Sequence, residues 1–349
     1  MLEAMAPRGA SDLHLVVGRP PMLRHAGGLS LIDDAPALTA ADTEALFTAL
    51  VPKDMAGALA ARKDLDFAYA VEGLGRFRVN ASVQQGTVSL TVRRVHDSPP
   101  KFESLGLPEV CRTLAMKKKG LVLVTGPVNS GKSTTMAAMI EMINQTFPRR
   151  IVTIEDPVEY VFTEGRSVIT QRELGRDVPA FAAGVRSALR QDPDVILVGE
   201  LRDTETVSAC LTAAETGHLV MSTLHTPSAA QAVDRVVDLF PPEQQTLVRA
   251  RMASLLEAVL YQMLVPTIDG SRRVLALEIM LATPAVRSLI REGKTHQLPN
   301  TIHTGGLVGM QTMDQALVKQ YKDKVISEPE LLVRASNQDE VKRVVGLTL

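Results

Sequence analysis

The chain has 349 residues, which exceeds one typical folding core and predicts about two domains. Its 38 basic and 39 acidic residues leave a formal net charge of -1, and 3% of its residues are aromatic. This composition argues against a protein that grips long nucleic acid or stacks bases. Cys111 and Cys210 are far apart, which excludes a disulfide framework and a Cys-x-x-Cys metal site and fits a reducing cytoplasmic compartment.

The sequence predicts no membrane-spanning segment. Residues 1–10 lack the apolar centre of a cleavable signal, and no apolar run reaches the roughly 18 residues that span a bilayer. We therefore expect any contact with a membrane to be made through a partner.

The first hundred residues predict a small α+β domain, with an antiparallel sheet and helical cover. Residues 96–101, His-Asp-Ser-Pro-Pro-Lys, break regular structure and predict a domain boundary near residue 100. The predicted elements before it are a strand at 12–17, a helix at 39–61, and alternating runs at 67–71, 76–83 and 87–95.

After residue 100, apolar strands alternate with helical patterns, which predicts βαβ units and a mostly parallel sheet covered on both faces. The sequence after residue 292 is helical and polar in pattern. The predicted strands are 121–125, 150–155, 195–200, 218–224 and 273–281, and the predicted helices are 132–145, 180–191, 204–216, 229–239, 242–264 and 284–292.

A phosphate-binding loop is the most informative segment, because it fits G-x-x-x-x-G-K-[ST] directly after an apolar strand. Its backbone amides and the start of the following helix suit the phosphates of a nucleoside triphosphate. Lys132 supplies a positive charge, and the Ser133 hydroxyl suits the shell of Mg²⁺. Asn129 departs from the commonest pattern, and we expect it to accept a left-handed backbone. The candidate residues are Gly126, Pro127, Val128, Asn129, Ser130, Gly131, Lys132, Ser133 and Thr134.

Acidic residues follow two predicted strands. Glu155, Asp156 and Glu159 follow one, and Glu200 follows another. Since ligands of an open α/β sheet bind at the carboxyl ends of its strands, we expect these acids to face Mg²⁺ and water near the γ-phosphate. For the first group taken alone, an acidic surface turn is the alternative. A buried Glu200 without a cation would be costly, which favours a functional role there.

Histidines and arginines complete the set of candidates. We expect His218 and His225, which bracket a predicted strand, to hydrogen-bond a phosphate or a catalytic acid, and a structural histidine is the alternative for either. Zinc fits poorly, because no further ligand accompanies them. Arginine suits the charge of a phosphoryl-transfer transition state, although most surface arginines have no such role. The arginines considered are Arg76, Arg78, Arg93, Arg94, Arg186, Arg190 and Arg202, with the first-domain group favoured.

Four ordered motifs resemble the secretion ATPase superfamily of P-loop NTPases. They are the loop at 126–134, the acidic box at 154–159, and the segments 189–203 and 216–226. Within the superfamily, nearly the whole chain is similar to the type IV pilus retraction (twitching motility) ATPases. Further segments that resemble this branch are 10–15, 75–80, 171–173 and 285–292, the last being similar to a family element linked to retraction. The Val128-Asn129 pair and the tail after about residue 325 depart from the pattern.

The resemblance implies an α/β fold class and a hexameric ring that binds ATP and Mg²⁺ between two domains. The implied division is a PAS-like domain at 1–98, a linker at 99–108, and a RecA-like domain with a helical C-terminal region at 109–349. The implied roles are phosphate and Mg²⁺ binding by Lys132 and Ser133, a Walker B acid at Glu200, activation of water by Glu159, histidine-box functions for His218 and His225, and weaker assignments as charge donors for Arg78, Arg93 and Arg94.

The resemblance implies a cytoplasmic motor, peripheral at the inner membrane, that drives pilus retraction through a membrane platform protein. Domain rotation about the linker would couple to hydrolysis, and a second retraction ATPase is a candidate partner. One alternative is an accessory retraction paralogue. Another is a pilus-extension or type II secretion ATPase, which commonly carries an additional N-terminal domain and a four-cysteine site. A non-hydrolysing nucleotide-dependent scaffold is disfavoured by Glu159 and Glu200, and a nucleic-acid translocase by the charge.

Overall fold

A computed structural model describes residues 1–5, 10–25, 28–32, 35–53, 55–95 and 98–347. The chain forms two compact units, one of Met1–Ser98 with Pro157–Val161 and one of Pro99–Asp156 with Phe162–Leu349. His96 and Asp97, which contributed to the predicted boundary, lie outside the described residues. In the described part of the chain, no helix combines the length and the apolar character needed to cross a bilayer.

The first unit contains an antiparallel sheet whose described strands run in the order β3-β2-β1-β6-β5-β4. Phe77 and Val79 of β5 pack with Phe47 of α1 in its apolar core, which confirms the predicted α+β fold. The elements are β1 (Asp12–Leu15), β2 (Met22–His25), β3 (Gly28–Leu31), α1 (Ala40–Leu50), α2 (Ala58–Arg62), β4 (Asp64–Val71), β5 (Gly75–Gln84) and β6 (Thr87–Val95).

The continuous helix predicted over residues 39–61 is wrong. Thr39 begins α1 with a capping box that it shares with Asp42. The helix ends at Leu50, because Val51 precedes Pro52 and the proline ring disfavours a helical conformation in the residue before it. Val51 is accordingly extended, at φ -68° and ψ 134°. The strands β2 and β3 were not predicted, since their sequences, MLRH and GLSL, contain no β-branched or aromatic residue.

The second unit contains a mixed, mostly parallel sheet in the order β13-β12-β7-β11-β10-β8-β9. Within the described ranges, β12 and β13 form its antiparallel pair. Its strands are β7 (Gly120–Thr125), β8 (Arg150–Glu155), β9 (Val168–Glu173), β10 (Val195–Val198), β11 (Leu219–Leu224), β12 (Leu256–Pro266) and β13 (Arg273–Leu281).

Helices cover both faces of this sheet. Leu121 and Leu123 of β7 pack into one apolar cluster, and Val122 and Val124 pack into another, so the strand is buried on both sides. The predicted α/β fold is confirmed. The helices are α3 (Glu109–Ala115), α4 (Lys132–Thr146), α5 (Phe181–Ala188), α6 (Thr204–Glu215), α7 (Ala229–Asp238), α8 (Pro242–Leu255), α9 (Pro284–Arg291), α10 (Leu298–Thr304), α11 (Met313–Lys322), α12 (Glu328–Arg334) and α13 (Gln338–Val345).

The helix predicted over residues 242–264 is wrong in its second half. Helix α8 ends at Leu255, and the chain then forms β12, which pairs with β7 on one side and β13 on the other. Ala258, Val259 and Leu260 are all fully buried. A strand buried on both faces lacks the alternation that identifies a strand in sequence. As a result, β12 lies directly beside the strand that leads into the phosphate-binding loop.

The segment 99–108, predicted as a linker, packs on the second unit. Phe102 begins a short 3-10 helix, Phe102–Leu105, and is buried together with Leu107 in the same cluster as Cys111. The guanidinium of Arg112 lies over the Phe102 ring at 4.8 Å from its centroid. The segment is therefore anchored to the second unit.

Candidate functional site

Four parallel strands bring the candidate loops to one edge of the sheet. In the hydrogen-bonded register, Leu224 of β11 lies opposite Thr125 of β7, and Val198 of β10 lies opposite Ile154 of β8. The segments that follow these strand ends carry the phosphate-binding loop, Asp156, Glu200 and His225. This arrangement brings Asp156 and Glu200, one acid from each of the two strand ends, to the same edge of the sheet.

The phosphate-binding loop adopts a backbone that requires small residues. Gly126 has φ 149°, and a Cβ there would lie 2.3 Å from the main-chain oxygen of Gln262. Asn129 has φ 62°, which confirms the predicted left-handed conformation. Gly131 begins α4 at φ 85°, and no side chain in the described part of the chain caps this helix. The first amides of α4 are therefore available to an anion.

The other side chains of the loop differ in their exposure to solvent. Val128 is 75% exposed at the tip of the loop, and Ser133 is exposed on the first turn of α4. Ser130 is buried, as is Lys132. The ammonium of Lys132 donates to the main-chain oxygens of Gly126 and Pro127, each at 2.9 Å. The positive charge of Lys132 is thus hydrogen-bonded to the main chain of the loop itself.

A row of charged and polar side chains extends from Lys132 across the edge of the sheet. Its Nζ lies 3.4 Å from Nδ1 of His225, and Nε2 of His225 lies 3.7 Å from Oε1 of Glu200. The second oxygen of Glu200 accepts from Nε of Arg202 at 2.7 Å. Nη1 of Arg202 then reaches Asp156 at 3.3 Å. The structure therefore brings together five of the predicted residues: Lys132, His225, Glu200, Arg202 and Asp156.

The electrostatics of this row favour the neutral form of His225. Burial lowers the pKa of His225, the ammonium of Lys132 lowers it further, and Glu200 opposes the shift. A neutral imidazole has one donor and one acceptor nitrogen, which suits a position between an ammonium and a carboxylate. The pKa of Arg202 is raised, mainly by its hydrogen bond to Glu200.

Two threonines that were not predicted hold His225 beside the loop. The hydroxyls of Thr125 and Thr226 lie 2.8 Å apart, and both residues are buried. The main-chain N–H of Thr226 also donates to the Thr125 hydroxyl at 2.8 Å. The residue after His225 is thus fixed to the end of β7, immediately before Gly126.

The row borders a cavity of about 510 Å³. Glu200, Arg202 and His225 line one part of it, and Asp234 and Asp238 of α7 line another. The carboxylate and the imidazole therefore face open space, where a substrate or water can approach.

The structure does not bring His218 to the loop of its own chain. His218 precedes β11, whereas His225 follows it, and a six-residue strand separates its ends by about 20 Å. Nδ1 of His218 lies 2.8 Å from the main-chain oxygen of Ala213 and 3.0 Å from the hydroxyl of Thr216. Parallel strands therefore place the two histidines of one chain at opposite edges of the sheet, and the expected role of His218 stays a prediction.

The acids after β8 divide between different environments. Glu155 accepts from the hydroxyl of Thr153 at 2.6 Å and from the amide of Gln171 at 3.1 Å. Asp156 joins the row through Arg202. Glu159 belongs to Pro157–Val161, which groups with the first compact unit. Glu155 and Asp156 thus belong to the second unit, and Glu159 belongs to the first.

The favoured arginines of the first unit lie on two faces of its sheet. Arg78 and Arg93 are cross-strand neighbours, and Arg93 also pairs in register with Asp12. Nε of Arg93 donates to Asp12 at 2.7 Å, and Nε of Arg78 lies 3.5 Å from Asp66. Because side chains alternate along a strand, Arg94 lies on the opposite face from Arg93. Arg78 and Arg93 therefore lie side by side on one face of the sheet, and Arg94 lies on the other face.

A buried glutamine is the most informative residue that was not predicted. Gln262 lies on β12, is fully buried, and donates from Nε2 to the main-chain oxygen of Ser130 at 2.7 Å. The sequence signal is a polar residue inside the apolar run 256–266, which becomes visible once that run is identified as a strand.

Comparisons with known proteins identify the family. The model of the Type II/IV secretion system protein family matches residues 78–337. The chain is 46% identical over 317 residues to the Type IV pilus retractation ATPase PilT of Pseudomonas aeruginosa, covering 91% of this chain and 92% of that protein. It is 43% identical over 321 residues to the Twitching motility protein of Neisseria gonorrhoeae, covering 92% and 86%.

A solved structure agrees with these relatives. The crystal structure of the pilus retraction motor PilT with bound ADP superposes with a TM-score of 0.90 at 44% identity, covering 98% of this chain and 99% of that chain. The chain therefore belongs to the Type II/IV secretion system protein family.

Proposed function

We propose that this chain is an ATPase that works as a hexameric, Mg²⁺-dependent motor and powers type IV pilus retraction. The observation that carries the proposal is the alignment of Lys132, His225 and Glu200 beside the start of α4. It supports ATP hydrolysis because a phosphate cradle and a carboxylate meet at one strand edge. The direction of the work is supported by the similarity to proteins named for pilus retraction and twitching motility.

The donors present fit Mg²⁺ held mainly by the substrate's phosphates. Ser133 offers an exposed hydroxyl on α4, and Glu200 offers a carboxylate beyond β10. Among the described residues, no cluster of three or more His, Cys, Asp or Glu could hold a metal alone. Magnesium favours a few oxygen donors together with phosphates and water, so Ser133 and Glu200 suffice. When bound, the ion would neutralise charge that develops on the phosphates.

The chain's own residues would bind and orient the triphosphate. The loop amides and the start of α4 receive the phosphate oxygens, which are stronger acceptors than the carbonyls of Gly126 and Pro127 that Lys132 now contacts. His225 holds a position between Lys132 and Glu200, and Arg202 orients the Glu200 carboxylate. These positioned charges act without rearrangement as the γ-phosphate leaves.

Residues of the first unit have proposed roles that rest on the resemblance. Glu159 would activate the attacking water, and Arg78 and Arg93 would supply positive charge. We also propose the domain division 1–98, 99–108 and 109–349, with rotation of one domain against the other during the cycle. Since Phe102 and Leu107 are anchored in the second unit, bending would concentrate at the N-terminal end of 99–108.

The proposed assembly is a homohexamer at the cytoplasmic face of the inner membrane. Its proposed partner is the pilus platform protein, and a second retraction ATPase is a further candidate. The similarity to a pilus retraction motor supports this placement. No direct membrane insertion and no nucleic-acid partner are proposed.

Imaging of pili after deletion of the gene tests the biological function. Loss of retraction predicts cells that accumulate surface pili and do not twitch. Bald cells would instead indicate an extension motor, and weakened but persistent retraction would indicate an accessory paralogue.

Phosphate release by the purified chain separates a motor from a scaffold. If the chain is a motor, we expect the wild type to hydrolyse ATP and the Glu200→Gln variant to bind nucleotide but hydrolyse it much more slowly. Equal rates for the wild type and this variant would support the non-hydrolysing scaffold.

A further inference from the structure

Gln262 touches the phosphate-binding loop at two points. Its side-chain amide donates to the main-chain oxygen of Ser130 at 2.7 Å, across 132 residues of sequence. Its main-chain oxygen occupies the space beside Gly126, 2.3 Å from where a Cβ would stand. Strand β12 therefore contacts both the beginning and the end of the loop through one residue.

The peptide bond between Ser130 and Gly131 needs an external restraint. Gly131 has φ 85°, and a Cβ there would have its nearest neighbours at 3.4 Å and beyond, so backbone conformation is the reason for glycine at this position. Glycine adopts positive and negative φ about equally readily, so this peptide can rotate at little cost. The carbonyl and the N–H of a trans peptide point in opposite directions. Anchoring the Ser130 carbonyl to β12 therefore directs the Gly131 N–H away from β12.

The buried amide of Gln262 carries an energetic cost beside its hydrogen bond. Within the described residues, its Oε1 is buried without a hydrogen-bond partner, and so is Oγ of Ser130. A buried acceptor that makes no bond destabilises the fold, and an apolar side chain of similar shape would avoid this cost.

We propose that Gln262 is a positioning residue that fixes the Ser130–Gly131 peptide in the orientation that receives a phosphate. It acts on the nucleotide through the loop and does not touch it. This inference rests on the proposed nucleotide-binding function of the loop and assigns to β12 the task of holding the cradle in shape.

The affinity of the full chain for a fluorescent ADP analogue with Mg²⁺ provides the first test. Gln262→Leu removes the hydrogen bond and preserves most of the volume, and we expect the affinity to fall about tenfold, as for the loss of one ordinary hydrogen bond. Gln320→Leu is the matched control. Gln320 also donates from Nε2 to a main-chain oxygen, that of Leu275 at 2.7 Å, and its Oε1 is also unpartnered within the described chain. We expect this control to bind like the wild type.

Gln262→Glu provides a readout that a merely structural role would not give. A protonated Glu can donate to the Ser130 carbonyl as the amide does, whereas the carboxylate repels it. Burial raises the pKa of a carboxyl group, so the protonated form is accessible at mildly acidic pH. We expect the affinity of Gln262→Glu, divided by that of the wild type at the same pH, to rise as the pH falls. Dividing by the wild-type affinity removes the pH dependence that arises from protonation of the nucleotide.

The outcomes separate this inference from the proposed function. Failure of the wild type to bind the analogue would overturn the proposed function and this inference with it. Wild-type binding combined with an unchanged Gln262→Leu, an equal loss in Gln320→Leu, or a Gln262→Glu ratio that is flat with pH would overturn the role of Gln262 alone.

Discussion

Replacement of Gly126 by alanine tests whether the shape of the phosphate-binding loop is needed for hydrolysis. A matched control at another glycine accounts for the cost of backbone strain. Gly126 has φ 149°, and a Cβ at this position would meet the main-chain oxygen of Gln262 at 2.3 Å and the Ser130 hydroxyl at 2.8 Å. Gly175 offers a matched control, since it also has a positive φ, 81°, but no described atom within 4 Å of a Cβ. Both substitutions strain the backbone, and only Gly126→Ala also creates a collision.

The size of the effect follows from the contact with Gln262. An ordinary contact of a Cβ begins at 3.4 Å, so the loop or β12 must move by about 1 Å to admit the methyl group. A displacement of about 1 Å in a catalytic site can cost about 100-fold in rate, and we expect a fall of that order in hydrolysis by Gly126→Ala. Backbone strain alone should cost each variant about 1–3 kcal/mol of stability.

Single-turnover hydrolysis and chemical unfolding of the purified full-length variants measure the two effects. We expect Gly175→Ala to hydrolyse ATP like the wild type while unfolding at a lower denaturant concentration. Wild-type hydrolysis by Gly126→Ala, or an equal loss in Gly175→Ala, would refute the reasoning.

Three further predictions concern side chains of the second unit. Thr226→Val should lower the free energy of unfolding by about 0.5–1.5 kcal/mol, because it removes the hydrogen bond between the buried hydroxyls of Thr125 and Thr226, and unchanged urea unfolding would contradict this. The pKa of His225 lies below its ordinary value of 6.5, so unfolding takes up a proton between the two values and stability should fall as the pH drops below 6.5. His225→Gln should lose this component in thermal unfolding, and identical pH profiles would argue against it. Burial raises the pKa of both Cys111 and Cys210 to about 12, so neither thiol should be alkylated near neutral pH until denaturant is added. Labelling of the native chain detected by mass spectrometry would show that the core opens.

The parts of the site that depend on local sequence could be predicted. The phosphate-binding loop has a fixed pattern, and Asn129 adopts the left-handed backbone expected of it. Glu200 and His225 follow strands whose apolar runs are evident in the sequence, so the rule for parallel strand ends placed them correctly. The same rule, applied to both ends of β11, separates His218 from His225, because one precedes the strand and the other follows it.

The parts that depend on distant contacts could not be predicted. The run 256–266 is apolar on both faces, and only its pairing with β7 and β13 identifies it as a strand. Gln262 was missed for this reason, since its partner Ser130 is 132 residues away. Thr125 and Thr226 likewise meet only because β7 and β11 are neighbours in the sheet.

Phosphate release from ATP by the purified full-length chain, with Mg²⁺ present, tests the central claim most directly. We predict hydrolysis by the wild type and by Lys319→Ala, whose exposed ammonium pairs with Asp323 on the surface, and its loss in Lys132→Ala. A wild type that releases no phosphate, or a Lys132→Ala variant that releases it at the same rate, would contradict the account.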